Sequence, residues 1–202
     1  QSLGTRVLEL DSENFSEIRT YGLKNAKYEW ILYLDADERV DKALEQEIKR
    51  AVSNTDFSSF FLKRKNFYLG KNEWPYIEKI IRLFNRNCLS GWKGEIHESP
   101  ILTGRTVALN GFINHYTHRD LESMITKTIA WSTIEASIRY KGNHPSMSWW
   151  RFPRVMLTAF INSYSVQKGY KAKTMGIIEA TFQAFSIFVT YAKLWEMQNH
   201  DK

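Results

Sequence analysis

The sequence predicts an α/β protein with a largely parallel sheet, because two strand-like stretches near the front alternate with two helix-sized intervals. Residues 5–11, TRVLELD, read as the first strand, and a helix is expected over about 15 to 27. Residues 30–34, WILYL, form a continuous apolar run, as expected of a strand covered on both faces of a parallel sheet. Val40, Leu44, Ile48 and Val52 then recur every fourth residue behind Asp41, a good N-cap, and predict an amphipathic helix.

From Ser59 the texture changes. SFFLKRKNFYLG and KIIRLFNRN are aromatic or β-branched runs set between turn residues, which predicts antiparallel strands. LSGWKGEIHESP reads as a glycine-punctuated loop. Asp120 is placed to cap a long helix from Leu121, with Leu121, Met124, Ile125, Thr128 and Ile129 on one face and Gly142 as its stop. Beyond Met147 two more helical segments are expected, broken near KGYKAK, the last with a stripe of Ile178, Phe182, Phe185, Val189 and Ala192. Its charge-free stretch, 180–192, spans about 20 Å as a helix against a hydrocarbon layer of roughly 30 Å. It is therefore expected to lie on a membrane or pack on the domain, not to cross. The predicted division is a domain over 1–142 and an amphipathic helical tail over 143–202.

With 202 residues, 43% of them hydrophobic, the chain buries a full core and is not a disordered protein. A single cysteine, Cys88, excludes an internal disulfide framework and a cysteine-rich zinc site. The net charge of +6 is unevenly placed: residues 1–100 hold 16 basic and 16 acidic side chains, residues 101–202 hold 12 and 6. Residues 139–173 carry seven basic side chains and no acid, among aromatics. Trp149, Trp150, Arg151, Phe152, Arg154, Lys171 and Lys173 are accordingly expected to dock on an anionic surface with an apolar layer beneath it. The opening QSLGTRVLEL has neither the basic n-region nor the apolar h-region of a signal peptide, and it does not start with Met, so a piece of a longer protein is expected.

The apolar run 30–34 stops at Asp35, Asp37 and Glu38, three acids within four positions. Ligands of open α/β sheets gather beyond the carboxyl ends of the strands, and a D-x-D there offers hard oxygen ligands to Mg²⁺ or Mn²⁺. GEIHES adds Glu95, His97 and Glu98, in which a carboxylate can take a proton from an attacking hydroxyl and an imidazole can orient it. In an extended chain Glu95 and His97 share one side and Glu98 faces the other. NHYTH adds two further imidazoles, of which His115 is preferred to His118 as an additional metal ligand, since His118 sits nearer the helix cap.

In their order and spacing, WILYLDADERV, KRKNFYLG, RLFNRN, GWKGEIHES, INHYTHRD and YAKLWE resemble the family 2 glycosyltransferases of the lipopolysaccharide-core type. The resemblance runs from about Val7 to Glu196. It implies a GT-A, Rossmann-like mixed sheet flanked by helices, and inverting transfer of a sugar from a nucleotide-diphosphate donor to a hydroxyl of a cell-envelope glycan or glycolipid. The implied place is the cytoplasmic, inner face of a bacterial plasma membrane. The resemblance further implies that Asp37 holds the metal and Asp35 is its partner on the donor, that Glu98 of a His97–Glu98 pair is the base, and that Arg19 lies near the donor. Members of the family begin with a further β-α-β stretch that holds the nucleotide base, so 1–142 corresponds to part of the catalytic domain. Two other classes fit parts of the pattern: a basic, aromatic module binding anionic lipid or nucleic acid without catalysis, and a metal-dependent phosphotransferase using the same carboxylates. Under the leading reading no nucleic-acid partner is expected.

Overall fold

The computed structural model describes residues 6–12, 14–53, 55–94 and 98–200. The chain packs as two compact units, Gln1–Arg64 with Lys79–Ile113 and Lys65–Glu78 with Asn114–Lys202. A mixed five-stranded sheet flanked by helices gives the α/β class expected from the sequence, of the Rossmann-like GT-A kind. The strands are β1 (Trp30–Leu32), β2 (Glu38–Val40), β3 (Ser59–Tyr68), β4 (Asn72–Asn85) and β7 (Thr106–His115), in the order β1-β4-β3-β7-β2. A separate antiparallel pair joins β5 (Leu89–Lys93) to β6 (Ser99–Leu102).

The first unit is built on the alternation of β1 and β4. They pair antiparallel, with Trp30 opposite Asn85, Ile31 opposite Phe84 and Leu32 opposite Leu83. Successive side chains of a strand face opposite ways. Trp30, Leu32 and Leu83 therefore join Leu44, Phe60, Leu62, Leu109 and Ile113 in one core, beneath α2 (Lys42–Ser53). Ile31, Tyr33 and Phe84 join Leu23, Leu89 and Trp92 in the other, beneath α1 (Phe15–Asn25) and the small sheet. So β1 is covered on both faces, as its composition requires, but it is an edge strand antiparallel to its neighbour and not a member of a parallel sheet. The apolar run fixed the covering and carried no information about strand direction.

Asp41 does two jobs at the start of α2. Its Oδ1 accepts from Leu44 N at 2.6 Å, the capping expected from the sequence, and its backbone N–H donates to Phe112 O at 3.1 Å. Gly111 lets the helix sit close on β7: a Cβ there would stand 2.5 Å from Leu44 Cα. Two other expectations do not hold. Residues 6–11 form no strand; Val7 is 80% exposed, and a β-branched stretch without a neighbouring strand has no ladder to join. LSGWKGEIHESP is not a plain loop, because its two ends pair as β5 and β6 with an irregularity between Leu89 and Gly91.

The second unit contains α3 (Leu121–Lys141), α4 (Arg151–Ile161) and α5 (Lys173–His200), with a π turn over Asn162–Val166 and a 3-10 turn over Gly169–Ala172 at the predicted break. Asp120 and Ser123 cap α3 reciprocally, and Gly142 ends it. The buried face of α3 is Met124, Thr128, Ser132 and Ala136, a strict four-residue period, whereas Leu121, Ile125 and Ile129 are exposed. Small and hydroxyl side chains on the inner face permit close approach of α5, which packs on both α3 and α4. Ala136, Met147 and Leu194 make that core, with Phe152, Tyr191 and Met197 against it. Of the stripe expected on α5, Phe182 is buried while Ile178 and Phe185 are exposed.

The charge-free count over 180–192 understates the apolar length of this segment. Gly169–Asn199 is 31 residues long and, by length and composition only, apolar enough to cross a membrane. Of its most apolar stretch, 33% is buried inside the protein. Counting only charge-free residues stopped the count at Glu179, which is itself buried.

Candidate active site

The acids that end the first apolar run stand in a chain of ion pairs within the first unit. The antiparallel register continues past β1 through Tyr33 N donating to Arg82 O at 2.9 Å, which sets Arg82 beside the acidic turn. Asp35 Oδ2 accepts from Arg82 at 2.8 Å and its Oδ1 from Arg19 at 3.3 Å. Arg19 reaches on through Nε to Glu98 Oε1 at 2.7 Å. On the other side Glu38, whose side chain is wholly buried, takes Arg64 at 3.0 Å and Arg82 at 3.7 Å. The turn closes on itself, with Glu38 N donating to Asp35 O at 3.0 Å and Asp35 N to Glu38 Oε2 at 3.1 Å.

The Arg19 guanidinium is held in place by more than charge. Arg19 projects from α1, which Asn14 caps by accepting from Ser16 and Glu17. Its Cζ lies 5.1 Å from the Trp92 ring centroid and 5.6 Å from that of Tyr33, a cation–π environment that also shields the ion pairs from water. Burial raises the pKa of the Tyr33 phenol, while Trp92 and the Arg19 charge pull it the other way. The phenol donates its proton to Arg19 O at 3.0 Å.

The expected site residues thus divide. Arg19, Asp35 and Glu98 are brought together, although Asp35 and Glu98 are 63 positions apart in sequence. Asp37 lies half-buried in the same turn. His97, and Glu95 with it, fall outside the described residues. His115 ends β7 in the second unit, where its Nδ1 meets Asn66 Oδ1 at 2.8 Å. Among the described residues no group of three or more His, Cys, Asp or Glu is placed to hold a metal ion. Trp149 and Trp150 are exposed, with Arg151 and Arg154 packed on the Trp150 ring at 5.7 and 5.4 Å; Lys171 and Lys173 are exposed as well. Phe152 was expected at the membrane interface, but it packs into the helical core against Phe188.

Sequence reasoning missed Arg82, Arg64 and Trp92. One signal was present: an arginine inside the apolar strand KIIRLF is a poor fit to a buried strand unless a carboxylate meets it. Glu38 was visible in the acidic cluster, and its role as the buried anchor of the turn was not.

Within a sheet of the Rossmann-like GT-A kind, the acids at the end of the first apolar run are thus braced by arginines and joined through Arg19 to a carboxylate just before β6. Comparison with known proteins finds relatives named glycosyltransferases. Over 98% of its length the chain is similar, at 23% identity, to an uncharacterised glycosyltransferase of Rickettsia typhi, covering 72% of that protein. A counterpart from Rickettsia prowazekii is 22% identical over the same shares. The lipopolysaccharide core biosynthesis glycosyltransferase LpsC of Rhizobium meliloti is 24% identical over 88% of this chain and 68% of its own. No family model matches the chain.

Proposed function

We propose that this chain is the catalytic part of an inverting glycosyltransferase that moves a sugar from a nucleotide-diphosphate donor to a hydroxyl of a cell-envelope glycan or glycolipid of the lipopolysaccharide-core type. The observation that carries the reading is the Glu98–Arg19–Asp35–Arg82 chain at the end of the first apolar run, taken with the glycosyltransferase names of the similar proteins.

In the reaction the acceptor oxygen attacks the anomeric carbon as the bond to the diphosphate breaks on the opposite side, and the acceptor's proton passes to Glu98. Arg19 holds Glu98 by Oε1 only, and no hydrogen bond from the described residues reaches Oε2, which is the oxygen for the proton. Arg19 and Asp35 fix the position of that carboxylate and act as positioning groups. The three carboxylates of Asp35, Glu38 and Glu98 already balance the three guanidinium groups of Arg19, Arg64 and Arg82, so an incoming diphosphate brings charge that nothing in the cluster offsets. A divalent ion meets that need. Mg²⁺ or Mn²⁺ is commonly held by one or two carboxylates together with substrate phosphates, so Asp37 fits as its protein ligand without a larger cluster. Asp35, with both oxygens on arginines, fits better as an organiser of the turn. When bound, such an ion neutralises the leaving diphosphate.

Exposed Trp149 and Trp150, the basic side chains beside them, and the apolar outer residues Leu157, Ile177, Phe185 and Trp195 support docking on an anionic membrane surface, at the inner face of a bacterial plasma membrane. In this reading the docked chain works next to a glycolipid acceptor.

The test is product formation by the complete protein from nucleotide sugars. Glu98→Gln should keep donor affinity in calorimetry and lose turnover by about 10²–10⁴-fold. Asp37→Ala should lose Mn²⁺-dependent donor binding. Full activity of Glu98→Gln, or transfer of phosphate in place of a sugar, would sink the reading.

A further inference from the structure

We propose that a pocket of about 490 Å³ in the first unit, between α1 and the end of β5, binds a sugar that carries an anionic group and serves as the acceptor of the transfer. Its role as acceptor rests on the function proposed above; its binding in the pocket does not.

The two walls are tied together. Ser16 of α1 is buried and donates through Oγ to Gly94 O, just beyond β5. Gly94 has a φ of 99°, a conformation that glycine adopts without a side-chain clash. Asn14 Oδ1 is committed to the backbone of α1, accepting from Ser16 N at 2.9 Å and Glu17 N at 3.3 Å, so its amide nitrogen is the donor left for the pocket. Thr20 and Tyr21 line the same wall, and neither hydroxyl has a hydrogen-bond partner among the described residues.

Lys24 enters the lining from α1 and Lys93 from β5; both are exposed, and neither has an ion-pair partner among the described residues. The one carboxylate in the described lining, Glu17, already accepts from Ser12 Oγ at 2.7 Å. Cations and donors thus outnumber acids, which suits a ligand rich in oxygen acceptors and negatively charged. Tyr21 and Trp92 add flat apolar surface, to which the C–H face of a pyranose is complementary. A neutral sugar would leave the two lysines without a counter-charge, and a bare anion would leave the rings uncovered. The volume lies within the range of ligand pockets, about 300–1,000 Å³. Trp92 also carries the Arg19 guanidinium at 5.1 Å, and Arg19 holds Glu98 at 2.7 Å. Two contacts therefore join the pocket to the proposed base, and the occupant that belongs beside a base is the acceptor.

Calorimetry on the full-length protein with glucose 6-phosphate, glucuronate, glucose and inorganic phosphate tests the site. At least one of the two charged sugars should bind at least tenfold more tightly than glucose and than phosphate. Saturating UDP should not displace it. Replacing both Lys24 and Lys93 by Gln should erase the advantage over glucose, and Tyr21→Ala should weaken the charged sugar at least fivefold, each with unchanged circular dichroism; Trp92 is left intact because it also holds Arg19. Glu98→Gln should bind the charged sugar as the parent does, whatever its effect on turnover. Binding of this kind by a protein that transfers no sugar would keep the site and strike its role as acceptor. Glucose or phosphate binding as tightly as both charged sugars, displacement by UDP, or undiminished binding in either the lysine or the Tyr21 variant would overturn the proposal.

Discussion

Arg82 links two acids that sequence places three positions apart and that need opposite things from it. Asp35 is 42% exposed at its side chain and can turn to water; Glu38 is wholly buried and cannot. Replacing Arg82 by Leu removes the 2.8 Å bond to Asp35 and leaves Glu38 with Arg64 as its guanidinium partner beside the Asp35 N–H. The expected loss is about 1–3 kcal/mol, charged to the buried end of the pair since the exposed end is screened. Urea unfolding of Arg82→Leu beside Arg82→Lys measures it, and unchanged stability in the leucine variant would mean that Arg64 suffices. Asp35, Asp37 and Glu38 were legible because an abrupt change from apolar to acidic residues is a local signal. Arg82 and Arg64 were not, because each meets its carboxylate across 47 and 26 positions of chain.

At the scale of elements, α2 and α3 were readable from caps and periods, since both are properties of a few neighbouring residues: Asp41, Asp120 and Gly142 act as expected. The inner face of α3 was read only in part. Of the face expected from Leu121, Met124, Ile125, Thr128 and Ile129, Met124 and Thr128 are buried, and Ser132 and Ala136 complete the inner face in place of Leu121, Ile125 and Ile129. Helix α5 carries the clearest dependence on pH. Burial raises the pKa of Glu179, against a smaller lowering by Gln183. Above the ordinary glutamate range the unfolded chain loses this proton while the folded chain retains it, so stability falls as pH rises from there up to the raised folded value. Glu179→Gln, always neutral, should match the parent in thermal unfolding near pH 4 and exceed it near pH 8. Equal melting at both pH values would show that the carboxyl titrates normally.

For the molecule as a whole, residues 101–202 hold the excess of basic side chains, and Arg154, Lys171 and Lys173 among them are exposed, as is Trp149 at 82%. Attraction of each basic group close to an anionic membrane contributes roughly 1 kcal/mol and is screened by salt, while insertion of Trp149 and Trp150 is not. Co-sedimentation with anionic vesicles should therefore weaken in high salt without vanishing, and replacing Arg151, Arg154, Lys171 and Lys173 by Gln should reproduce the effect of salt. Equal partition onto neutral and anionic vesicles would remove the docking. By itself the sequence determined the α/β class, most helix ends, the acidic strand terminus and the charge asymmetry, all of which follow from the residues' own polarity, period and capping chemistry. Only the tertiary structure decided that β1 runs antiparallel at an edge, that LSGW and SPIL pair, and that Arg19 joins Asp35 to Glu98. Strand direction and ion pairing are relations between distant parts of the chain, and a residue's own composition is the same whichever partner it meets.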